Sequence, residues 1–397
     1  MLIQFSVIEI HFGIYFLVFL FYFTKVSLEF FTNLVFLIII FFIGLLSSFL
    51  QSKIFYDFIK DFIYFIVPIL SLISGYFVAK KLNSFTIFLK IIIYLTTLFS
   101  LFHILSILIQ IDFVNSSVSD IRKVGGLSNI IEVFVLVILI GSYSHDNLDV
   151  IKNNFFKKTI LIIVFTSFIL YFSRTMFVSF FILTLSIYGF LKITSKGVKY
   201  LILVLLFFTL FYTYLFSANL DRSKPGLESF LYKMKIAPSE IFTPIRKIDP
   251  NNHAFLWDHW RAYEATMAID QINTIPTFLI GKGFGSLIDL KFKVFLGDSK
   301  MRYIPSIHNG YVFVFFKTGI IGLIFHLLFL INLYLYVYYK SRSKEEMVIN
   351  YLISGIGVHF LFTSLIINGI YNIEELFVFI LGALFYFRKD VLVLNKN

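Results

Sequence analysis

The chain has 397 residues, of which 59% are hydrophobic and only 14% charged, against about 25% charged in an ordinary soluble domain. That much apolar surface, with 54 Phe among its 20% aromatics, exceeds what one soluble core hides and is the reverse of a disordered composition, so the natural solvent is a bilayer. The absence of Cys excludes disulfides, thiolate metal sites and Cys nucleophiles, and a net charge of +11 points to orientation signals and anionic headgroups ahead of nucleic acid.

A membrane span needs about 20 mostly apolar residues. Runs of that kind predict an all-α polytopic membrane protein with about eleven (10–12) transmembrane helices, near 5–23, 30–50, 62–79, 85–111, 129–144, 159–173, 175–193, 200–217, 310–338, 349–367 and 371–387. No removable signal peptide is expected, so the first apolar stretch stays as a span. With the C-terminus taken as cytoplasmic, the cytoplasmic segments hold fifteen Lys/Arg. The short external loops hold five: Lys53, Lys60, Arg122, Lys123 and Arg174. That bias fixes the orientation and puts the N-terminus outside.

Residues 218–305 form an 88-residue polar insertion that carries both Trp and six of the seven Pro. The expected organisation is therefore 1–217, an N-terminal bundle of about eight spans; 218–305, a large periplasmic loop; and 306–397, about three C-terminal spans. The loop holds 12 Lys/Arg against 9 Asp/Glu, which breaks the positive-inside trend. An anionic ligand accounts for that charge; a slightly basic solvated cap is the alternative. Loops this long are usually functional. This one is predicted to be partly helical, over Glu228–Lys235 and over Trp257–Ile269, where Trp257, Trp260, Tyr263, Ala265 and Met267 supply one face and Asp258 sits near the start.

In chain order, the first cation of interest is Arg122, followed by Gly125-Gly126 in an external loop; a solvated loop charge is its plainer reading. Ser173-Arg174-Thr175 is a tight external hairpin between two apolar runs. Its guanidinium suits phosphate oxygens or serves as a headgroup anchor. Trp260-Arg261-Ala262-Tyr263-Glu264 sets an Arg between aromatics, fit for phosphate or sugar contact, or for a surface pair of Arg261 with Glu264 or Asp258. Gly281-Lys282-Gly283-Phe284-Gly285 lacks the spacing of a dinucleotide or Walker loop. It reads as a tight turn, with a phosphate nest as the alternative.

His308-Asn309-Gly310-Tyr311 opens the ninth span at the external interface. A neutral imidazole there can take a proton from a substrate hydroxyl; an interfacial helix cap is the alternative. Lys317 falls inside the span, where charge is costly and functional by default, unless it snorkels or the first turns form a separate short helix. Gly319 and Gly322 permit close packing. His103, His326 and His359 stand singly on spans. His253 and His259 lack any ligand pattern, so no metal site and no cofactor are expected.

Taken in order, Ser173-Arg174, then Trp260-Arg261 and Gly281–Gly285 in a long external loop, then His308-Asn309 with Gly319-Ile-Ile-Gly322, resemble the O-antigen polymerase/O-antigen ligase superfamily (Wzy/WaaL-type membrane glycosyltransferases). The hydropathy layout extends the likeness over most of the chain. The resemblance implies a GT-C-like fold. It implies a metal-independent transfer of glycan from an undecaprenyl-pyrophosphate carrier to a sugar hydroxyl, outside the bacterial cytoplasmic membrane. By position it makes Arg174 and Arg261 phosphate-handling residues and His308 the catalytic base. Many members place the loop Arg a few residues before the aromatic, whereas Arg261 directly follows Trp260; Arg246 and Arg222 are the alternatives.

The expected site is thus catalytic His308, Arg261 and Arg174, with Arg122, Trp260, Glu264, Asn309, Lys317 and Gly283 contacting substrate. The expected function is polymerisation of lipid-linked repeat units into O-antigen or capsule. Transfer of finished glycan to lipid A-core is the close alternative, and lipid-linked glycan transport or a non-catalytic scaffold the more distant ones. Expected partners are the lipid-linked donor and acceptor, membrane lipids, a chain-length regulator and a flippase, and no nucleic acid.

Overall fold

The computed structural model describes residues 7–22, 25–49, 55–111, 121, 124, 129–221, 224, 227–249, 252–296, 299–372 and 375–394. Each of the eleven apolar stretches carries helix: α1 Val7–Tyr22, α2 Leu28–Ser48, α3 Phe55–Leu82, α4 Phe85–Gln110, α5 Asn129–Gly141, α6 Asn154–Leu170, α7 Arg174–Ile187, α8 Ser195–Ser217, and, after the insertion, α13 Gly310–Leu335, α14 Lys344–Ile366 and α15 Phe377–Leu394. Six of these are long and apolar enough to cross a membrane; α1, α5, α7 and α15 are apolar but shorter. The chain is an all-α, multi-pass membrane protein by that measure. Polar caps start the helices where the apolar runs begin. Ser27, Ser84, Asn153 and Thr194 each accept from a backbone N–H three residues on, satisfying donors that hydrocarbon cannot.

The insertion folds into α9 Leu227–Phe242, α10 His253–Asp258, α11 Trp260–Asp270, α12 Ile275–Ile280 and the strands β1 Ile288–Leu296 and β2 Ser299–Ile304. Two features depart from expectation. The single helix predicted over Trp257–Ile269 is broken at His259 (φ −120°, ψ 10°), so Asp258 ends α10 instead of starting the longer helix. An antiparallel hairpin, β1–β2, also interrupts the helical pattern. Its register jumps between Asp289 and Val294, with Lys291 at φ 67° in the bulge. The alternating burial of Ile288, Leu290 and Val294 is the period-2 signal that marks the strand.

Contacts divide the chain into two compact units, each assembled from three segments. The first comprises Met1–Val78, Ala237–Leu333 and Phe360–Tyr386. Its core is aromatic: Phe284 lies among Phe41, Phe58 and Phe65, and Phe65 reaches Phe313 and Tyr371. The second comprises Ala79–Ile236, Tyr334–His359 and Phe387–Asn397. There α4, α5, α6 and α7 pack on one another. Glu132 of α5 is buried among them, accepting from Ser100 and Ser167 at 2.9 Å each, while His103 bonds Ser167 at 2.8 Å.

Candidate functional site

The site lies in the first unit, where the insertion returns to the membrane. On α11, residues three and four apart share a face, so Trp260, Tyr263 and Glu264 all point inward and are buried. Tyr263 donates its hydroxyl to the Leu290 carbonyl at 2.6 Å. Gln271, just past the helix, exchanges hydrogen bonds with the Asp289 backbone at 3.1 Å each way. Both contacts lock α11 to β1. Asp289 is itself held by a bidentate pair with Arg302, at 2.7 and 2.9 Å. That guanidinium holds the Asp289 carboxyl well below the usual carboxylate range.

β2 ends at Ile304, and four residues later comes His308. Ile307 is buried while the His308 side chain is 55% exposed. Its Nδ1 lies 2.7 Å from Glu264 Oε1, and its backbone N–H donates to the same oxygen. The Glu264 side chain is 1% exposed, so the carboxylate is spent on His308. Because a carboxylate accepts, Nδ1 carries the proton, and in the neutral ring Nε2 keeps its lone pair. The hydrogen bond to Glu264 raises the His308 pKa above its ordinary 6.5; partial burial opposes this, Glu264's charge adds to it, and the nearby positive charge of Arg261 opposes it. Arg261 pairs with Glu240 at 3.2 Å and keeps about a third of its side chain exposed. A carboxylate-backed base and a guanidinium within electrostatic reach of it therefore share one surface. That set can accept a proton and stabilise developing negative charge.

Behind His308 the polypeptide is clamped. Asn309 caps α13 by accepting from the Val312 N–H at 3.0 Å, and the Gly310 N–H donates to the Ile367 carbonyl at 2.9 Å. The helix then breaks at Gly319 (φ 66°, ψ −169°). The orphaned carbonyls of Phe316 and Lys317 accept from the N–H groups of Lys282 and Gly283, at 2.8 and 2.9 Å. Thus residues 281–286 form a strap that caps the half-helix 310–318 from its C-terminal end. A Cβ on Gly281 would strike the backbone of Lys317–Gly319, and one on Gly319 would strike Leu279 and Ile280. Both glycines have positive φ, the region that only Gly enters at little cost.

The strap is fixed on its far side too. Ser47 donates to the Gly281 carbonyl at 2.8 Å, the Phe284 N–H donates to Ser48 Oγ at 2.6 Å, and the Gly285 N–H donates to Asp61 Oδ2 at 2.6 Å. Lys317 donates to that same Asp61 oxygen at 2.5 Å and to the Ser286 carbonyl at 2.6 Å, both side chains being fully buried.

The expected site residues separate accordingly. His308, Glu264 and Arg261 come together. Glu264, expected to touch substrate, instead supports His308 from below, because its oxygen is buried and already hydrogen-bonded. Arg261 pairs with Glu240, a partner outside its own helix. Trp260 is buried between Trp257 and Tyr263, so it offers little ring face to a ligand; Trp257 is the exposed partner. Asn309 is a helix cap. Gly283 is no phosphate nest, since its amide is committed to Lys317. Lys317 neither snorkels nor lines a surface, because Asp61 neutralises it inside the protein. Its half-helix does end two residues later, as the separate-short-helix reading required.

Arg246, the alternative loop cation, is engaged in an exposed pair with Asp270 at 3.0 and 3.2 Å. Arg174 belongs to the second unit, heads α7, and donates to the Lys233 carbonyl. Arg122, with Gly125 and Gly126, and Arg222 lie outside the described residues. Sequence reasoning missed Asp61 and Glu240. The first had a usable signal, a carboxylate near the mouth of an apolar run; the second had none. Among the described residues no group of His, Asp and Glu could hold a metal ion.

Comparison with known proteins finds one family. Residues 159–327 match the family described as O-antigen ligase, a stretch that includes Arg174, Arg261, Glu264, the strap, His308 and Lys317. No curated protein and no solved structure matches the chain.

Proposed function

We propose that this chain, a member of the O-antigen polymerase/O-antigen ligase superfamily, polymerises undecaprenyl-pyrophosphate-linked repeat units into O-antigen or capsular polysaccharide. In this reading it crosses the bacterial cytoplasmic membrane eleven times and carries residues 218–305 on the periplasmic face. His308 Nε2 removes the proton from an acceptor sugar hydroxyl. The resulting oxygen attacks the anomeric carbon of the donor, the bond from that carbon to the diphosphate oxygen breaks, and the diphosphate leaves on its carrier. Negative charge grows on the departing diphosphate, where Arg261 stabilises it. Glu264 holds the tautomer and stabilises the imidazolium as it forms. No metal ion is required.

The observation that carries this reading is the exposed His308 ring backed by a buried carboxylate, with the Arg261 charge acting on the same ring. The close alternative, transfer of finished glycan to lipid A-core, is favoured by the description of the matched family. A deletion strain separates the two: loss of a polymerase leaves single repeat units attached to the lipid, and loss of a ligase leaves none. Complementation with His308→Ala should reproduce the deletion phenotype with protein present in the membrane. Full-length glycan ladders from that variant would remove His308 from catalysis.

A further inference from the structure

The strap carries one side chain that the clamp does not use. The Lys282 backbone is immobilised by its own N–H on Phe316 and by Gly281 and Gly283 at φ 77° and 76°. Its ammonium stands 5.7 Å over the Phe316 ring and is partly buried. Among the described residues no carboxylate lies within ion-pair distance of it. The charge that acts on it is another cation, Lys291, and burial together with Lys291 pulls the Lys282 pKa below its ordinary value.

Lys291 sits in the bulge of β1, at positive φ. Its carboxylate partner, Asp289 at 3.3 Å, is already engaged by both arms of Arg302. Residues 282–302 hold Lys282, Lys291, Lys293, Lys300 and Arg302 against Asp289 and Asp298. Burying part of Lys282 beside a second cation, with no carboxylate of its own, is unfavourable in isolation. A chain that fixes the Lys282 backbone through its own N–H and leaves its ammonium without a carboxylate holds a place for an anion.

The surroundings identify the kind of anion. α12, directly before the strap, exposes Ile275, Phe278 and Leu279, and the hairpin exposes Phe295. Large apolar side chains exposed beside lysines are the arrangement of a surface lying in the headgroup region of a bilayer, where phosphate is the abundant negative group.

We propose that Lys282 holds the phosphate group of a membrane lipid at the glycine strap. Two sources share that chemistry: the diphosphate of the carrier lipid and the headgroup of an acidic phospholipid. Only the first rests on the glycosyl-transfer reading.

The test is lipid binding by the purified full chain, followed by native mass spectrometry with undecaprenyl pyrophosphate, phosphatidylglycerol and, as zwitterionic control, phosphatidylcholine. Lys282→Gln should raise the Kd for at least one acidic lipid fivefold or more and leave phosphatidylcholine unchanged. Lys282→Arg should stay within twofold of wild type. Since the strap bonds through the Lys282 main chain, both variants should melt as wild type does. Loss confined to undecaprenyl pyrophosphate assigns the site to the carrier, and loss confined to phosphatidylglycerol assigns it to the bilayer. Wild-type binding of both acidic lipids by Lys282→Gln overturns the proposal. A wild-type chain that binds acidic lipid through Lys282 yet transfers no glycan would strike the glycosyl-transfer reading and leave this site standing.

Discussion

Replacing Glu264 by Gln keeps the volume and one acceptor oxygen but removes the charge under His308. A hydrogen bond to a charged group contributes about 1.5–3 kcal/mol. The His308 ring is 55% exposed, so solvent screening selects the lower end, about 1.5 kcal/mol. At about 1.4 kcal/mol per decade, Glu264→Gln should lower kcat/KM roughly tenfold. Deleting the base altogether with His308→Ala should cost about 10²–10⁴. The assay is transfer from a purified lipid-linked donor to a defined acceptor, followed across pH.

The sign of the pH effect follows from the structure. Glu264 raises the His308 pKa, so the imidazole is protonated, and inactive as a base, up to a pH above 6.5. Activity should rise with pH through that raised value. Glu264→Gln removes the raising influence and should move the ascending limb to lower pH, so its deficit is greatest on the alkaline plateau and shrinks in acid. Arg261 acts in the opposite direction, so Arg261→Met should move the limb to higher pH while lowering the rate. A Glu264→Gln enzyme with a wild-type rate and an unmoved limb would refute the base assignment and the role of the carboxylate together.

Asp61→Asn or Lys317→Met alone leaves a buried charge unpaired and should cost about 3–5 kcal/mol; the double variant should recover most of that, read as melting temperature in detergent. Gly281→Ala forces a Cβ into the α13 backbone at positive φ and should prevent stable folding, whereas Gly13→Ala, with nothing within 4 Å, should not lower the melting temperature. Arg174→Lys retains charge but loses the planar fork. If Arg174 grips diphosphate with two donors, glycan ladders should shorten or vanish; unchanged ladders would make it a structural contact to the Lys233 carbonyl.

The helices were legible because runs of Leu, Ile and Phe leave a bilayer segment little alternative to helix. The hairpin was missed although Ile288, Leu290, Phe292 and Val294 alternate in phase with Asp289, Lys291 and Lys293; its bulge, with Lys291 at positive φ, is a conformation that composition does not announce. His308 and Arg261 could be singled out by residue type and neighbourhood. The meaning of Glu264 could not, because a carboxylate three residues after an Arg on a helix looks like a surface partner for that Arg, and only the tertiary fold brings His308 from 44 residues away. Lys317 shows the same limit. Its position inside an apolar span marked it as consequential, yet whether it met substrate or a counter-charge depended on Asp61, 256 residues earlier. The glycines 281, 283 and 319 were visible as glycines, but their shared purpose, backbone against backbone, exists only once strap and half-helix meet.

The break at Gly319 ties the strap to the base. A continuous helix would satisfy the Phe316 and Lys317 carbonyls within itself; here they depend on Lys282 and Gly283. The half-helix 310–318 is too short to be stable alone in water, and its position is set by its two ends: Asn309 and Ile367 at the start, the strap and the Asp61–Lys317 pair at the finish. His308 stands two residues before that half-helix. The strap and the Asp61–Lys317 pair therefore fix, through the half-helix, the main chain that carries the imidazole. A lipid phosphate on Lys282, as proposed above, would bind the strap itself, on the segment that caps the half-helix behind His308.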